Sequence, residues 1–217
     1  MFFYVVSIIQ ALSFLIGLFF FQRIRNPWVR WLILYIGNLC LIELGLEFIP
    51  TMEAQATITR VYYCLAFPVE YALYVCMFRE KLAVFRWSRY WLMGTAGVLA
   101  VFGLYNGLLN QQHNSAATDV FSMMAVMALI ISLLYFRSLL QSKEIIYLLQ
   151  EPLFWIATAL LFFYAGSIIA TGFYHAFYKK SSHFAVSLFK VNLVLGIFRS
   201  VLYSIAFLVA ARKLPYG

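Results

Sequence analysis

The chain has 217 residues, 65% hydrophobic and only 11% charged, with a mean hydropathy of +0.87. A soluble domain carries roughly twice that charged fraction, so a solvated globular fold is excluded and a membrane-embedded one is expected. The net charge of +8 does not read as a nucleic-acid footprint. The basic residues sit in short connections beside apolar runs, where membrane orientation and anionic lipid account for them.

In chain order, the apolar runs predict seven helices, over 2–21, 29–49, 57–78, 90–109, 119–140, 152–178 and 184–211. A run of about 18–25 apolar residues crosses the hydrocarbon core at the α-helical rise. Only helices or closed barrels satisfy their backbone there, and these runs lack the alternation of barrel strands. The expected fold class is therefore all-α, a single transmembrane domain of seven helices over 1–217. The first run has no basic segment before it and no small-residue cleavage site after it, so it reads as a retained helix rather than a signal peptide.

The connections set the orientation. Arg23, Arg25 and Arg30 follow the first run, and Arg79, Lys81, Arg86 and Arg89 the third. Arg137 and Lys143 follow the fifth, and Arg212 and Lys213 the seventh. The opposite side carries only Arg60, Lys179 and Lys180. The positive-inside rule then places the N-terminus outside and the C-terminus in the cytoplasm, in a cytoplasmic (inner) membrane. Arg23, Arg25, Arg30, Arg79, Lys81, Arg86 and Arg89 become the basic surface open to a cytoplasmic partner. The outer connection 110–119 is polar and reads as an ordinary loop.

Ionisable groups inside a bilayer are costly and are site candidates by default. Five stand out: Glu43 and Glu47 in the second helix, Glu70 in the third, and Lys190 and Arg199 in the seventh. Counted from the outer helix ends, Glu43 and Lys190 lie ~10 Å deep and Glu70 and Arg199 ~20 Å deep. The matched depths predict Arg199 beside Glu70, and Lys190 beside Glu43 or Glu47, with Arg60 an alternative partner for Glu47. Further polar positions recur at helical spacing. They are Gln10 and Ser13, then Tyr35 and Asn38, then Tyr63 and Tyr74. In the sixth helix they are Tyr164, Ser167, Thr171, Tyr174, His175 and Tyr178; in the seventh, Asn192, Ser200 and Tyr203. Turned inward, these stripes would line a polar interior shared by helices 1, 2, 3, 6 and 7. Hydrogen-bonded polar side chains also simply hold membrane helices together, so a structural ion-pair role and a ligand, ion or proton site both stand.

Gly103 and Gly107 form a GxxxG in the fourth helix, either a close contact within the chain or a seam with a second copy in a homodimer. Pro68 lies two residues before Glu70 and should loosen the backbone there. Cys40, Cys64 and Cys76 fall in apolar runs with no CxxC, so they read as packed thiols. Three scattered histidines and a single aspartate, Asp119, offer no metal set. No Ser-His-Asp grouping, HExxH or phosphate loop occurs, so no metal, cofactor or enzymatic activity is expected. Lys190 lies too near the outer end for a retinal Schiff base.

The second half carries a recognisable stretch. Tyr147-Leu148-Leu149-Gln150-Glu151 leads into Pro152-Leu153-Phe154-Trp155-Ile156, followed by Tyr164 and Gly166, and later by Phe198-Arg199-Ser200-Val201-Leu202-Tyr203. Over about residues 135–211 the chain resembles small bacterial seven-helix membrane proteins that stand alone or form the membrane sensor region of histidine kinases. The resemblance implies a sensory or signalling module, or an accessory subunit of a sensor kinase, with lipids and a separate histidine kinase or other signalling protein as partners. A small transporter or channel-like protein, and a structural scaffold subunit, are the other readings of the same polar interior.

Overall fold

The computed structural model describes residues 2–46, 48–49, 51–85, 88–109, 116–141, 148–177 and 182–212. Helix accounts for 92% of them and no strand occurs among them, which makes the chain all-α. The helices are α1 (Phe2–Phe20), α2 (Pro27–Leu46), α3 (Met52–Phe78), α4 (Ser88–Leu104), α5 (Ala116–Gln141), α6 (Pro152–Phe177) and α7 (Ser182–Ala211). Six of them, α2 to α7, are long and apolar enough to cross a membrane; the described apolar part of α1, Val5–Phe20, is shorter. Large apolar side chains such as Phe19, Leu41 and Leu140 are strongly exposed on the helices, the surface that a membrane-spanning helix would turn to lipid.

The helices gather into two compact units. The first comprises residues 1–37 and 142–217, the second residues 38–141, so the division falls inside α2.

In the first unit, α7 packs on α6 and on α1. On α1, Gln10, Ser13 and Gly17 are buried while Ile8, Leu12, Leu15 and Phe19 are exposed. That three- and four-residue spacing is the α-helical stripe. A Cβ on Gly17 would lie 2.8 Å from Ile33 and 3.0 Å from Phe207, and one on Gly37 would strike the Phe14 ring. Glycine at these points therefore lets α1 lie close to its neighbours. Asn26 begins α2: its Oδ1 accepts the Trp28 N–H at 2.9 Å, with Pro27 in the first turn, a site where its missing N–H costs nothing. α6 and α7 run antiparallel, since Phe162 meets Phe198, Gly166 meets Leu195 and Ser167 meets Asn192.

In the second unit, α4 and α5 pack on α3. Phe67 meets Phe121 and Phe78 meets Tyr135, so α3 and α5 run parallel. α3 begins five residues before the expected 57, at Met52. Its first turn is closed by Gln55 N–H on the Thr51 carbonyl, and Glu53 sits at the positive end of the helix dipole.

α3 continues through Pro68, which cannot donate to the Cys64 carbonyl four residues earlier. Gly103 of α4 sits against that carbonyl, so closely that a Cβ would collide with it and lie 2.8 Å from Pro68 Cγ. Gly107 sits one turn on, where a Cβ would be 3.0 Å from Cys64 Cβ. The GxxxG of α4 thus faces α3 of the same chain, and its Cα–H groups can meet the carbonyl left over by Pro68.

The expected helix 90–109 is not uniform. It is α-helical to Leu104 and then makes a π turn over Tyr105–Leu109. Asn106 is buried inside that turn and its Nδ2 donates to the Phe102 carbonyl at 2.9 Å. The side chain thereby serves a carbonyl that the wider ladder shifts out of register.

Candidate functional site

Each unit holds its own polar cluster among apolar helices. In the second unit the cluster is built on α3, where Tyr63, Phe67, Glu70 and Tyr74 follow one face at four-, three- and four-residue steps. Glu70 is only 3% exposed and accepts a hydrogen bond from the hydroxyl of the fully buried Tyr74. Toward the other end of α3, Tyr63 donates to Glu43 of α2 at 3.4 Å, and Asn38 Nδ2 donates to the Tyr62 hydroxyl at 2.8 Å. The Tyr63 ring stacks on Phe67 at 5.3 Å, which places an apolar ring between the two carboxylate–tyrosine pairs. On the side toward α4, the buried Tyr71 hydroxyl shares a hydrogen bond with Thr95 at 2.8 Å. Thr95 is anchored in turn on the carbonyls of Trp91 and Leu92.

In the first unit the cluster lies between α6 and α7. Ser167 is fully buried and donates to Asn192 Oδ1 at 2.6 Å. About two turns of α6 present Tyr164, Ser167 and Thr171 on one face, of which Tyr164 and Ser167 are buried and Thr171 half-buried. On α7 the Arg199 guanidinium lies over the Phe163 ring, 4.1 Å from its centroid, with the buried Tyr203 ring at 6.0 Å. Stacking on aromatic faces is the environment that a guanidinium tolerates best away from water. Ser200 is buried and donates to the Gly196 carbonyl. On α1, Gln10 and Ser13 are buried, and the Ser13 hydroxyl has no hydrogen-bond partner among the described residues.

The remaining expected residues are distributed as follows. Lys190 is exposed on α7. Glu47 and Arg86 lie outside the described residues, as do the side chains of Arg89, Tyr174 and His175. The expected charge pairs, Glu70 with Arg199 and Lys190 with Glu43, each take one member from either unit and are carried forward as expectations. Arg23, Arg25, Arg79 and Lys81 are exposed. Arg30 is turned onto its own chain: its Nε donates to the Ile24 carbonyl at 2.6 Å and its guanidinium lies 5.6 Å from the Phe21 ring. It closes the end of α1 rather than facing outward.

Four polar positions of the second unit, Tyr62, Tyr71, Thr95 and Asn106, are not among the expected site residues. Their signal in the sequence is a polar residue within an apolar run, which Tyr62 and Tyr71 conceal because tyrosine is equally common at membrane interfaces. Among the described residues no group of three or more His, Cys, Asp or Glu gathers as a metal site, and the three cysteines are free thiols. A shallow apolar groove of about 580 Å³ runs along the outer face of α4, over Gly94, Gly97, Val98 and Val101.

No protein-family model matches this chain, and neither the curated proteins nor the solved structures contain a significant match. The functional reading therefore stands on the residues themselves.

Proposed function

We propose that this protein is a membrane-embedded sensory or signalling module, in which a small or lipophilic ligand, or a proton, acts on polar side chains buried between transmembrane helices. The observation that carries this reading is Glu70. A carboxylate 97% removed from the surface, hydrogen-bonded to a fully buried tyrosine, is costly in an apolar helix bundle and marks a site by default. The Ser167–Asn192 pair, the aromatic-stacked Arg199 and the unpartnered Ser13 hydroxyl support a second polar locus. In this reading α1 is a seventh span, the N-terminus is outside, the protein sits in the inner membrane, and the exposed arginines contact a separate signalling protein such as a histidine kinase. A ligand can shift such a module only if it binds two packings differently.

A transporter is the second reading, favoured by helices that depart from regularity within their spans: α3 at Pro68 and α4 at its π turn. Irregular backbone at membrane depth commonly lines a path or a coupling site.

Reconstitution separates the two. A sensor gives no substrate flux in liposomes containing only the purified protein, and in-cell crosslinking recovers a histidine kinase with it in stoichiometric amount. Sustained flux of a solute or of protons, with no such partner, replaces the sensor by the transporter. If Glu70→Gln leaves melting, flux and partner recovery all unchanged, Glu70 is not a functional site.

A further inference from the structure

We propose that the end of the second unit formed by Arg79, Lys81 and Arg137 binds the phosphate of an anionic phospholipid. Three separate segments are brought together to make it. α3 ends at Phe78, and the Arg79 N–H still closes on the Val75 carbonyl at 2.9 Å, which fixes Arg79 at the helix end. The chain then makes a 3-10 turn over Lys81–Val84, pinned by the fully buried Leu82 and by Phe85 N–H on the Leu82 carbonyl at 2.9 Å. Phe85 in turn lies beneath Arg137 of α5, whose guanidinium is 5.4 Å from the ring centroid. The Phe78–Tyr135 contact sets the end of α3 level with Tyr135, two residues before Arg137.

Arg79, Lys81 and Arg137 are all exposed at that end, and Glu80 is exposed beside them. Among the described residues of this end, three cations stand against one acid, which leaves a net positive surface. Arg137 is held by its ring partner, so its fork of donors is oriented before any anion arrives.

The choice of a lipid rests on exposed apolar side chains of the two helices, α4 and α5, that pack against this 3-10 turn. Tyr90 is 82% exposed, Met93 62% and Leu140 88%. Tyr90 and Met93 lie in the first turns of α4, next after Phe85, and Leu140 is in the last turn of α5. An amphiphile with an anionic head and an apolar body matches both the charges and these side chains, whereas a free anion or an acidic peptide matches the charges alone. Basic residues just beyond membrane helix ends meet lipid phosphates at this level.

The test uses the purified full-length protein and native mass spectrometry, with phosphatidylglycerol and phosphatidylcholine offered at equal mole fraction. Phosphatidylglycerol should be retained well over fivefold more than phosphatidylcholine, since about fivefold is the scale set by one basic residue at the membrane surface and three contribute. R137Q should lower that preference about fivefold, R137K less, and R79Q/K81Q/R137Q should abolish it. The exposed pair in the first unit is the control: R23Q/R25Q should keep the preference. Each variant is first checked for a melting transition like that of the parent. Equal retention of the two lipids by the parent protein overturns the proposal. So does an equal loss in R23Q/R25Q, which would mean general attraction rather than a site. Displacement of the lipid by glycerophosphoglycerol or inorganic phosphate at millimolar concentration would overturn it in favour of a free-anion site.

Discussion

Gly103→Ala is the sharpest probe of how this fold is held together. The new methyl group would be driven into the Cys64 carbonyl oxygen and would sit 2.8 Å from Pro68 Cγ. Neither neighbour can swing away, because one is backbone and the other is a ring fixed within α3. α4 would have to withdraw from α3, and overpacking of this kind costs about 1–3 kcal/mol. Alanine itself returns up to about 1 kcal/mol of helix propensity, so a net loss of up to about 2 kcal/mol is expected. At Gly97, by contrast, nothing lies within 4 Å of the position a Cβ would take. Gly97→Ala should therefore keep the propensity gain of up to about 1 kcal/mol. For a chain of this length, the difference of about 1–3 kcal/mol between the two variants corresponds to melting temperatures about 2–12 °C apart. Thermal challenge in detergent followed by fluorescence-detected size exclusion reads that gap. Gly107→Ala should fall between them, since its Cβ would lie 3.0 Å from Cys64 Cβ and 4.0 Å from its sulfur. Gly103→Ala as stable as Gly97→Ala would refute the close approach of α4 to the Cys64 carbonyl.

Tyr74→Phe removes the donor to the buried Glu70 carboxylate and should cost about 1–3 kcal/mol. Glu70→Gln added to it should cost little more, and fully additive losses in thermal unfolding would show that the two side chains do not act as a pair. Ser167→Ala and Asn192→Ala should couple by about 0.6 kcal/mol in a double-mutant cycle, with strict additivity counting against the 2.6 Å bond. Arg30→Gln should loosen the end of α1, at a cost of about 1–3 kcal/mol for a charge-assisted bond to a carbonyl. Hydrogen exchange should speed up over residues 20–26 in that variant and not in Arg25→Gln; the same response in both would mean that the Ile24 contact is not what holds the turn.

Helix existence was legible because hydropathy and helical period report the same burial that the bundle exploits. α5, α6 and α7 fall within a few residues of the expected spans for that reason. What hydropathy could not reach were the features set by backbone geometry. The π turn at Tyr105–Leu109 depends on Asn106 reaching the Phe102 carbonyl, and an apolar average over that window reads simply as helix. The early start of α3 was missed because Met52-Glu53-Ala54-Gln55 is too polar for a span, although its capping signals are present. Polar stripes were partly legible: Glu70 with Tyr74 follows from the four-residue spacing on one helix. The Tyr71–Thr95 bond joins two helices, and no spacing within either helix announces such a contact.

The stretch from Leu148 to Trp155 has a local physical job of its own. Pro152 opens α6, where it gives up no hydrogen bond. Glu151 N–H closes on the Leu148 carbonyl, and Phe154 N–H on the Glu151 carbonyl. The Trp155 indole reaches back six residues to donate to the Leu149 carbonyl at 3.0 Å. Proline and tryptophan at these positions therefore join the turn before α6 to its first helical turn, and any membrane helix that begins in this way gains from the same residues. A motif explained by how a helix starts carries no evidence about function. The weight of the functional reading consequently rests on groups that helix construction does not need: the Glu70–Tyr74 pair deep in α3, and Arg199 stacked on Phe163. An apolar side chain at either position would avoid the cost of a polar or charged group in a membrane, and the proposed function takes these residues as its site for that reason.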